Sequence, residues 1–511
     1  MSQKKRYNLS MTKIEKIIIA SFEKFPSQVI SDLLKHTTVP RATLKRHINK
    51  LVDKKELEAI GEGRGRYYQR IYKPRTQSIS VLKSGKLVGF LAYDEGQYLF
   101  EYDKSYRGKA LDGLVLEQRG VSDELFTIFE NLIPESDRRD SYLAEGKSLV
   151  EILLELENTH GDFDFVALDK LYSYQGDYSN RKSWIAVKEQ ILEKQEFPNI
   201  LEATIDIDPA IVEAKGKHSS LSGYQNKIDV AFEATVVRQS SGALYLLKPY
   251  NTQSAIYDFK DKNQTHLPYL GLNEHLFMSF AKNAYGFDVP WSGVVVGEKD
   301  FHYIVKRYDR YSGYKYEQRD FAQIMSIHSD QKYFSTSEKL FDAIAEVVKS
   351  KEERVRFLEF YLFSFVIEHA DLHLKNISII NMGRDKYRLS PLYDLISNGV
   401  YRGDSDELGL PLGGKKHNIS MDDFYALAKR IGISQLQTKK SAKKIVDIFI
   451  DKFPSYIELS REIELFEGLK IQKNRYSFGS FCDDLQKFYE RRIESLRQRG
   501  FLKELGVEDA I

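Results

Sequence analysis

Cysteine is almost missing from the 511-residue sequence, with Cys482 the one present. That excludes an intramolecular disulfide framework and any cysteine-based zinc finger, and it points to a reducing, cytoplasmic home. Long apolar runs are missing too. The most apolar stretch, around Phe357–Ile367, falls well under the about 20 residues that a membrane span needs, so no membrane association is expected. The opening MSQKKRYNLSMTK has charge but no apolar core of the kind a secretory leader carries. Net charge is small, at +2, yet it is unevenly placed: residues 1–75 hold 18 Lys and Arg against 7 Asp and Glu, and the remainder carries −9. A basic segment on an acidic body is the footprint of a polyanion-binding module. Apolar residues (42%) and aromatics (13%) are plentiful, and the length predicts three or four domains.

In the basic segment, Ile14, Ile17, Ile18 and Phe22 recur at helical spacing up to Pro26. Ser27 is placed to cap a second helix with an inner face of Val29, Ile30, Leu33 and Leu34. A third helix follows Pro40, with Leu44, Ile48 and Leu51 inward and Arg41, Thr43, Arg46, His47 and Lys50 outward. Leu57–Ile60 and Tyr67–Ile71 then read as strands around GEGRGR, whose tip carries Arg64 and Arg66. GEGRGR joins strand to strand, so it is no dinucleotide fingerprint. The order resembles the winged helix-turn-helix of bacterial regulators. That resemblance implies a third helix in the major groove and wing arginines on phosphate. A small helical domain that docks another protein is the alternative.

Beyond the polar KPRTQS, the stretch VLKSGKLVGFLAYDEGQYLFEYD alternates like a strand meander with turns at SGK and DEG. LFTIFENLIPESDRRDSYL then switches to helical spacing, and Trp184–Ile200 reads as helix and connector. None of this carries a catalytic signature. The chain is accordingly divided into residues 1–75, 76–200, 201–318 and 319–511.

Chemistry concentrates in the second half. HSSLSGYQNKIDVAF sets small residues before a β-like run, which suits a loop whose N–H groups approach phosphates. It is not a Walker A, because the earlier glycine is missing. ALYLLKPYN is an apolar strand ending in Lys248, a costly place for an amine unless it is paired or faces a ligand; Glu274 on the next helical stretch is the candidate partner. FVIEHADLHLKNISIIN places Asp371 and Asn376 five apart between helix and strand, the D-x-x-x-x-N spacing of a kinase catalytic loop. A metal site using His369 and His373 is the rival reading, and it lacks a third ligand. In YRLSPLYDLISNG, Asp394 follows Asn376 by eighteen residues, where kinases place a metal-binding aspartate.

These residues resemble HipA-type serine/threonine kinases, the toxins of HipBA-like toxin–antitoxin systems. SSLSGYQNK resembles the family's Ser-x-x-Gly-x-Gln-x-Lys phosphate loop, HADLHLKN its D-x-H-x-K-N catalytic loop, and SPLYDLIS its P-x-Y-D metal motif. RDFAQIMSI, ELGLPLGGKK and the strand meander also resemble family stretches. The resemblance implies an α+β, bilobal protein-kinase-like fold behind the winged helix. It implies an ATP site lined by Ser222, Gly223, Tyr224, Gln225, Asn226, Lys227, Lys248, the hinge Lys306-Arg307-Tyr308, His373, Leu374 and Tyr393. Asp371 would be the catalytic acceptor, Lys375 would neutralise the γ-phosphate, and Asn376 and Asp394 would hold Mg²⁺. Ser220, with Ser222 as a second site, aligns with a serine whose autophosphorylation shuts the kinase off. Two departures stand out: Glu368-His369 replaces the usual Gly-Asn, and Lys306 replaces an acidic hinge residue.

The expected function is therefore a cytoplasmic kinase acting on a protein serine, with an aminoacyl-tRNA synthetase as the target the resemblance implies, that also binds its own promoter or operator DNA. A separate antitoxin and two-fold pairing belong to the same expectation. The competing reading is a DNA-binding regulator whose inactive kinase fold senses a nucleotide. Small-molecule phosphotransfer is a further alternative.

Overall fold

The chain divides into two compact units, Met1–Arg75 with Ala144–Ser148, and Thr76–Leu143 with Leu149–Ile511. The computed structural model describes residues 12–24, 27–35, 37, 39–54, 57–61, 63, 66–70, 77–94, 96–135, 139, 142–143, 146–156, 159–174, 178, 180–208, 227–240, 242–250, 267–401, 406–463 and 477–507. Arg64, Ser220 and Ser222 to Asn226 lie outside the described residues.

In the first unit, α1 (Lys13–Lys24), α2 (Ile30–Lys35) and α3 (Arg41–Asp53) accompany three strands, β1 (Ser27–Gln28), β2 (Leu57–Ile60) and β3 (Tyr67–Arg70). The sheet order is β1-β3-β2. Ile18, Leu33, Leu44, Ile48, Leu51 and Leu57 form a small apolar core. Three sequence expectations change here. Ser27 does not cap α2; it pairs with Gln69 in the sheet. Ile17 faces solvent, and Ile18 and Ile19 are the buried pair of α1. His47 does not join the outward face of α3: it is 7% exposed, and its Nδ1 lies 3.3 Å from Glu15 Oε1. From Leu44, His47 is three residues on and Ile48 four, so the ring falls in the helix's apolar stripe. Glu15 also accepts from the Thr12 N–H and the Lys54 amine, each at 3.1 Å, so the imidazole packs against a satisfied carboxylate.

The second unit begins with the expected meander, β4 (Gln77–Lys83), β5 (Lys86–Asp94) and β6 (Gln97–Tyr102), turning tightly at Ser84-Gly85. With β7 (Gly120–Ser122) and β8 (Phe163–Ala167) it makes a five-stranded sheet in the order β7-β6-β5-β4-β8. Alternation along these strands points Val81, Leu91 and Phe100 at α4 (Thr127–Glu130) and α5 (Leu149–Glu155), where Phe129 and Leu153 close the core. The helical reading of LFTIFENLIPESDRRDSYL is realised in α4 and again at Arg139, Tyr142 and Leu143 among the described residues. After α6 (Trp184–Leu192), β9 (Thr204–Asp206), β10 (Ile228–Glu233), β11 (Val236–Gln239), β12 (Tyr245–Lys248), β13 (Ser292–Val296) and β14 (Phe301–Lys306) form a second sheet, ordered β13-β14-β12-β10-β11-β9.

The helix α7 (Leu270–Tyr285) lies against that second sheet. Gly271 permits the close approach, since a Cβ there would stand 3.0 Å from the Phe301 carbonyl. A short ribbon, β15 (Arg310–Tyr311) and β16 (Tyr314–Lys315), leads to β17 (Gln318–Asp320), which pairs with β18 (Ser378–Asn381) and through it with β19 (Tyr387–Leu389). The rest is helical: α8 (Phe321–Ile324), α9 (Ser337–Val347), α10 (Lys351–Val366), α11 (Met421–Arg430), α12 (Gln435–Glu462), α13 (Phe478–Gln498) and α14 (Phe501–Leu505). Asp320 starts α8 with a reciprocal capping box to Gln323. The second half of α10 is buried nearly all round and leads directly into the D-x-x-x-x-N loop.

Arg492 on α13 has no exposed surface. It bonds the carbonyls of Phe365 and Val366 at 2.7 and 3.2 Å and pairs with Glu407 at 2.5 Å, so it adds a side-chain donor to the last carbonyls of α10. Glu368 follows, with its carboxylate 3.1 Å from Arg491 and 3.5 Å from Arg492. A Cβ on Gly399 would meet Glu368 Oε2 at 2.0 Å and the Phe488 ring at 2.9 Å. Gly399→Ala should therefore lower the unfolding free energy by about 1–3 kcal/mol, seen as a reduced urea midpoint with an unchanged slope.

Candidate active site

Strand β12 is apolar until its last residue, so it carries Lys248 into a position only 4% exposed. A bare ammonium there would be very costly. It is paired three times: its Nζ lies 2.7 Å from each Glu274 oxygen on α7 and contacts Asp394 Oδ1. Asp394 reaches from the loop after β19 with a φ of +50°, a left-handed conformation that an aspartate tolerates better than most residues. Its second oxygen lies 2.8 Å from Lys227 Nζ, just before β10.

Two amines and two carboxylates thus meet in one buried cluster. Burial opposes charge on Lys248, but Asp394 and Glu274 outweigh it and hold its pKa above the ordinary value. Burial likewise disfavours the Asp394 carboxylate, and the two lysines reverse this, keeping it well below the usual range. Lys227, which shares one carboxylate, is held low by its burial.

The loop after α10 is folded back on itself. Glu368 takes a φ of +52°, His369 N–H donates to the Ser364 carbonyl at 2.9 Å, and the Asn376 carboxamide donates to the Asp371 carbonyl at 3.0 Å. Burial pushes the Asp371 carboxyl up, and a hydrogen bond from Tyr333 pulls it the other way. The Tyr333 hydroxyl donates to Asp371 Oδ1.

Lys375 lines the same cleft as Lys248, Asn376 and Asp394, with its amine held from the side of Asn131. Its side chain is 1% exposed, and its amine bonds the Asn131 carbonyl at 2.7 Å and the Asn131 side-chain oxygen at 3.1 Å, with Glu135 at 3.5 Å. Those partners come from the segment after α4, and they satisfy the amine there.

An open cleft of about 690 Å³ separates the second sheet from the helical part. Lys227, Lys248, Glu274, Asn376 and Asp394 line one region of it, and Leu246, Pro290, Val305, Tyr308 and Tyr393 supply apolar walls. The Tyr308 and Tyr393 rings lie 5.8 Å apart, and the Trp184 indole fixes the Tyr308 carbonyl at 2.9 Å. Lys306 and Arg307 also line the cleft. The Lys306 amine is engaged by the Gln190 carbonyl at 3.0 Å and by Glu193, and the Arg307 guanidinium by Asp309 at 3.0 Å.

Leu374 sits in the apolar core, and His373, 2% exposed, packs its ring edge-on to Tyr333 at 4.9 Å. Neither lines the cleft. His373 stands at the N-cap of the loop's single-turn helix, Leu374–Asn376, all of whose residues are buried. His160, contributed by the turn before β8, does line it.

No group of three or more His, Cys, Asp or Glu placed to hold a metal occurs among the described residues. The His369–His373 metal reading therefore fails. His369 is fully buried, which drives its pKa down to about 3. Asn376 and Asp394 offer a carboxamide and a carboxylate, the hard oxygen donors that suit Mg²⁺.

A strand lysine paired to a helix glutamate, the asparagine of a D-x-x-x-x-N loop and a turn aspartate share one cleft, an arrangement of the kinase type. Within that class, residues 219–457 match the HipA-like C-terminal domain. A protein of Sinorhizobium fredii (strain NBRC 101917 / NGR234) named "Putative kinase Y4dM" is 28% identical over 264 residues, 48% of this chain and 63% of its own length. The alignment thus spans less than two thirds of that relative. A "Putative kinase" of Haemophilus influenzae (strain ATCC 51907 / DSM 11121 / KW20 / Rd) is 26% identical over 317 residues, 55% of this chain and 83% of its own. A chain of the Shewanella oneidensis MR-1 HipA, HipB and operator DNA complex superposes with a TM-score of 0.56 at 17% identity, over 84% of this chain and 99% of that one, and so shares the fold.

Asn131, Glu135, His160 and Tyr333 had no local signal. Lys375 and Asn131 are 244 residues apart, and Tyr333 and Asp371 are 38 apart.

The four-charge cluster yields a prediction. Lys248→Met leaves Glu274 and Asp394 buried with one amine between them and should cost about 3–5 kcal/mol. Removing the pair together in Lys248→Met/Glu274→Met should recover most of that loss in urea titrations.

Proposed function

We propose that the chain is a protein serine/threonine kinase that uses ATP and Mg²⁺ and binds DNA through its first unit. One observation carries the reading: Lys227, Lys248, Glu274 and Asp394 converge on the cleft that Asn376 also lines. Two buried amines that hold carboxylates are poised to hold phosphate oxygens instead, and the apolar walls at Leu246, Val305 and Tyr308 suit a purine. The Asp371 carboxylate accepts the proton of a serine hydroxyl as its oxygen bonds to the γ-phosphorus and ADP departs. Mg²⁺ held by Asn376 and Asp394 would neutralise charge on the β- and γ-phosphates. Lys375, tied to Asn131 and lining the same cleft, would fix the loop and present its charge toward the γ-phosphate. Phosphate on Ser220 or Ser222 adds about −1.5 to −2 charge beside the nucleotide, which repels the triphosphate and turns the enzyme off.

Binding to promoter or operator DNA is favoured by the helix–strand–helix–helix–hairpin order of the first unit, with Arg41, Arg46 and Lys50 exposed along α3 and Arg66 exposed on β3's approach. An antitoxin partner, a homodimer on paired half-sites and an aminoacyl-tRNA synthetase as substrate complete the proposal. No helix among the described residues is long and apolar enough to cross a membrane.

Incubation with γ-labelled ATP tests the enzyme reading. Transfer into protein, lost in Asp371→Ala while ATP binding persists, is the expected result; ATP binding by wild type without transfer would leave a nucleotide-sensing regulator. For DNA, retardation of promoter fragments should weaken steeply between 50 and 200 mM salt, as phosphate neutralisation by several basic side chains requires by roughly three decades or more. Arg46→Ala/Lys50→Ala should abolish it, and unchanged retardation would remove α3 from the interface.

A further inference from the structure

Tyr333 is the one side chain touching the Asp371 carboxylate that the kinase reading leaves without a task. It belongs to the segment between α8 and α9, far from the D-x-x-x-x-N loop in sequence, and its hydroxyl donates to Asp371 Oδ1. The contact is built from both sides. Lys332, next to it, accepts the Leu374 N–H on its carbonyl at 3.3 Å and pairs with Glu135 at 2.6 Å. The Tyr333 ring stands edge-on to His373. Phe334 N–H closes a turn on the Gln331 carbonyl at 2.8 Å. The residue is 38% exposed, and the chain just before it is laced to the same loop whose aspartate the phenol holds. Burial and the neighbouring Asp371 charge both keep the phenol protonated, so it acts as donor.

Resting on the kinase reading above, we propose that Tyr333 is a positioning residue for phosphoryl acceptance: by holding Oδ1 of Asp371 it turns Oδ2 toward the incoming serine or threonine hydroxyl. A carboxylate has two acceptor oxygens and rotates about its last torsion. Anchoring one oxygen removes that rotation and leaves a single, aimed acceptor for the proton. Asn376 fixes the Asp371 backbone and Tyr333 fixes its carboxylate, so the two restraints are complementary. The acceptor hydroxyl, not the nucleotide, feels the second one.

The test compares full-length wild type with Tyr333→Phe, Tyr333→Ala, Asp371→Asn and Tyr333→Phe/Asp371→Asn, using γ-labelled ATP, with dephosphorylated casein and the chain itself as acceptors. Tyr333→Phe should lower kcat about 10- to 100-fold, the scale of a small misplacement of a reacting group. KM for ATP, ATP affinity and melting temperature should stay at the wild-type values. In the Asp371→Asn background the same change should cost nothing further, since both substitutions remove one function. Tyr333→Phe with wild-type kcat overturns the inference, and so does a loss that persists in the Asp371→Asn background or comes with lowered melting temperature. A faster Tyr333→Phe enzyme overturns it differently, by showing that the phenol is a placeholder the acceptor must displace. Wild type that binds ATP and transfers nothing sinks the kinase reading, and this inference with it.

Discussion

Lys248 carries a positive charge to a place water barely reaches, and the rest of the cleft is arranged around that fact. Its partners come from three separate parts of the chain: Glu274 from α7, 26 residues on, Asp394 from the loop after β19, 146 residues on, and Lys227, through Asp394, from the edge of β10. A buried ion pair rarely stabilises a fold more than well-packed apolar side chains of the same volume would. A cluster of four charges is then a poor way to join a sheet to a helical body and a good way to keep charges ready for a ligand.

The D-x-x-x-x-N loop depends on a second set of restraints, and these pull from opposite directions. From the helical side, Arg492 takes the last carbonyls of α10, while Glu368 is gripped by Arg491 and Arg492. From the side of the five-stranded sheet, Asn131 and Glu135 take the Lys375 amine, and Glu130 accepts the Ser329 N–H at 2.9 Å. The loop is suspended between two bodies, each with its own core. The Glu368 that departs from the HipA pattern makes ion pairs with Arg491 and Arg492 that brace the loop's entry. The end of α4 and the segment after it, silent in any catalytic pattern, supply half of the suspension.

Much of this was readable from residue order. The alternation of VLKSGKLVGFLAYDEGQYLFEYD became β4, β5 and β6, the apolar run before Lys248 became a buried strand, and the Lys248–Glu274 pairing followed from the cost of burying an amine. What stayed hidden was direction. His47 looked like a surface residue because it is polar, but its place in the i, i+3, i+4 stripe and a partner 32 residues away turned it inward. Lys375 carried no sign of the carbonyl 244 residues distant that holds its amine at the edge of the cleft. Ser27 read as a cap because serine caps helices, and the hairpin that recruits it as a strand lies 40 residues further along. Local propensity names the element; long-range partners decide where a polar side chain points.

The cluster also suggests why the two lysines differ in environment. Lys248 is held by Glu274 on one side and Asp394 on the other, so it keeps a counter-charge whichever partner leaves. Lys227 pairs with Asp394 among these carboxylates, and its burial already weakens its charge. If Asp394 turns to a cation, Lys248 still has Glu274, and the place Asp394 held beside Lys227 opens to another anion. Phosphate oxygens suit that place, and Lys227 is the residue joined directly to the Ser/Gly stretch that precedes β10. Ligand charge and carboxylate charge thus substitute for one another beside the two lysines, and Lys227, next in sequence to the Ser/Gly stretch, is the one placed to meet the ligand.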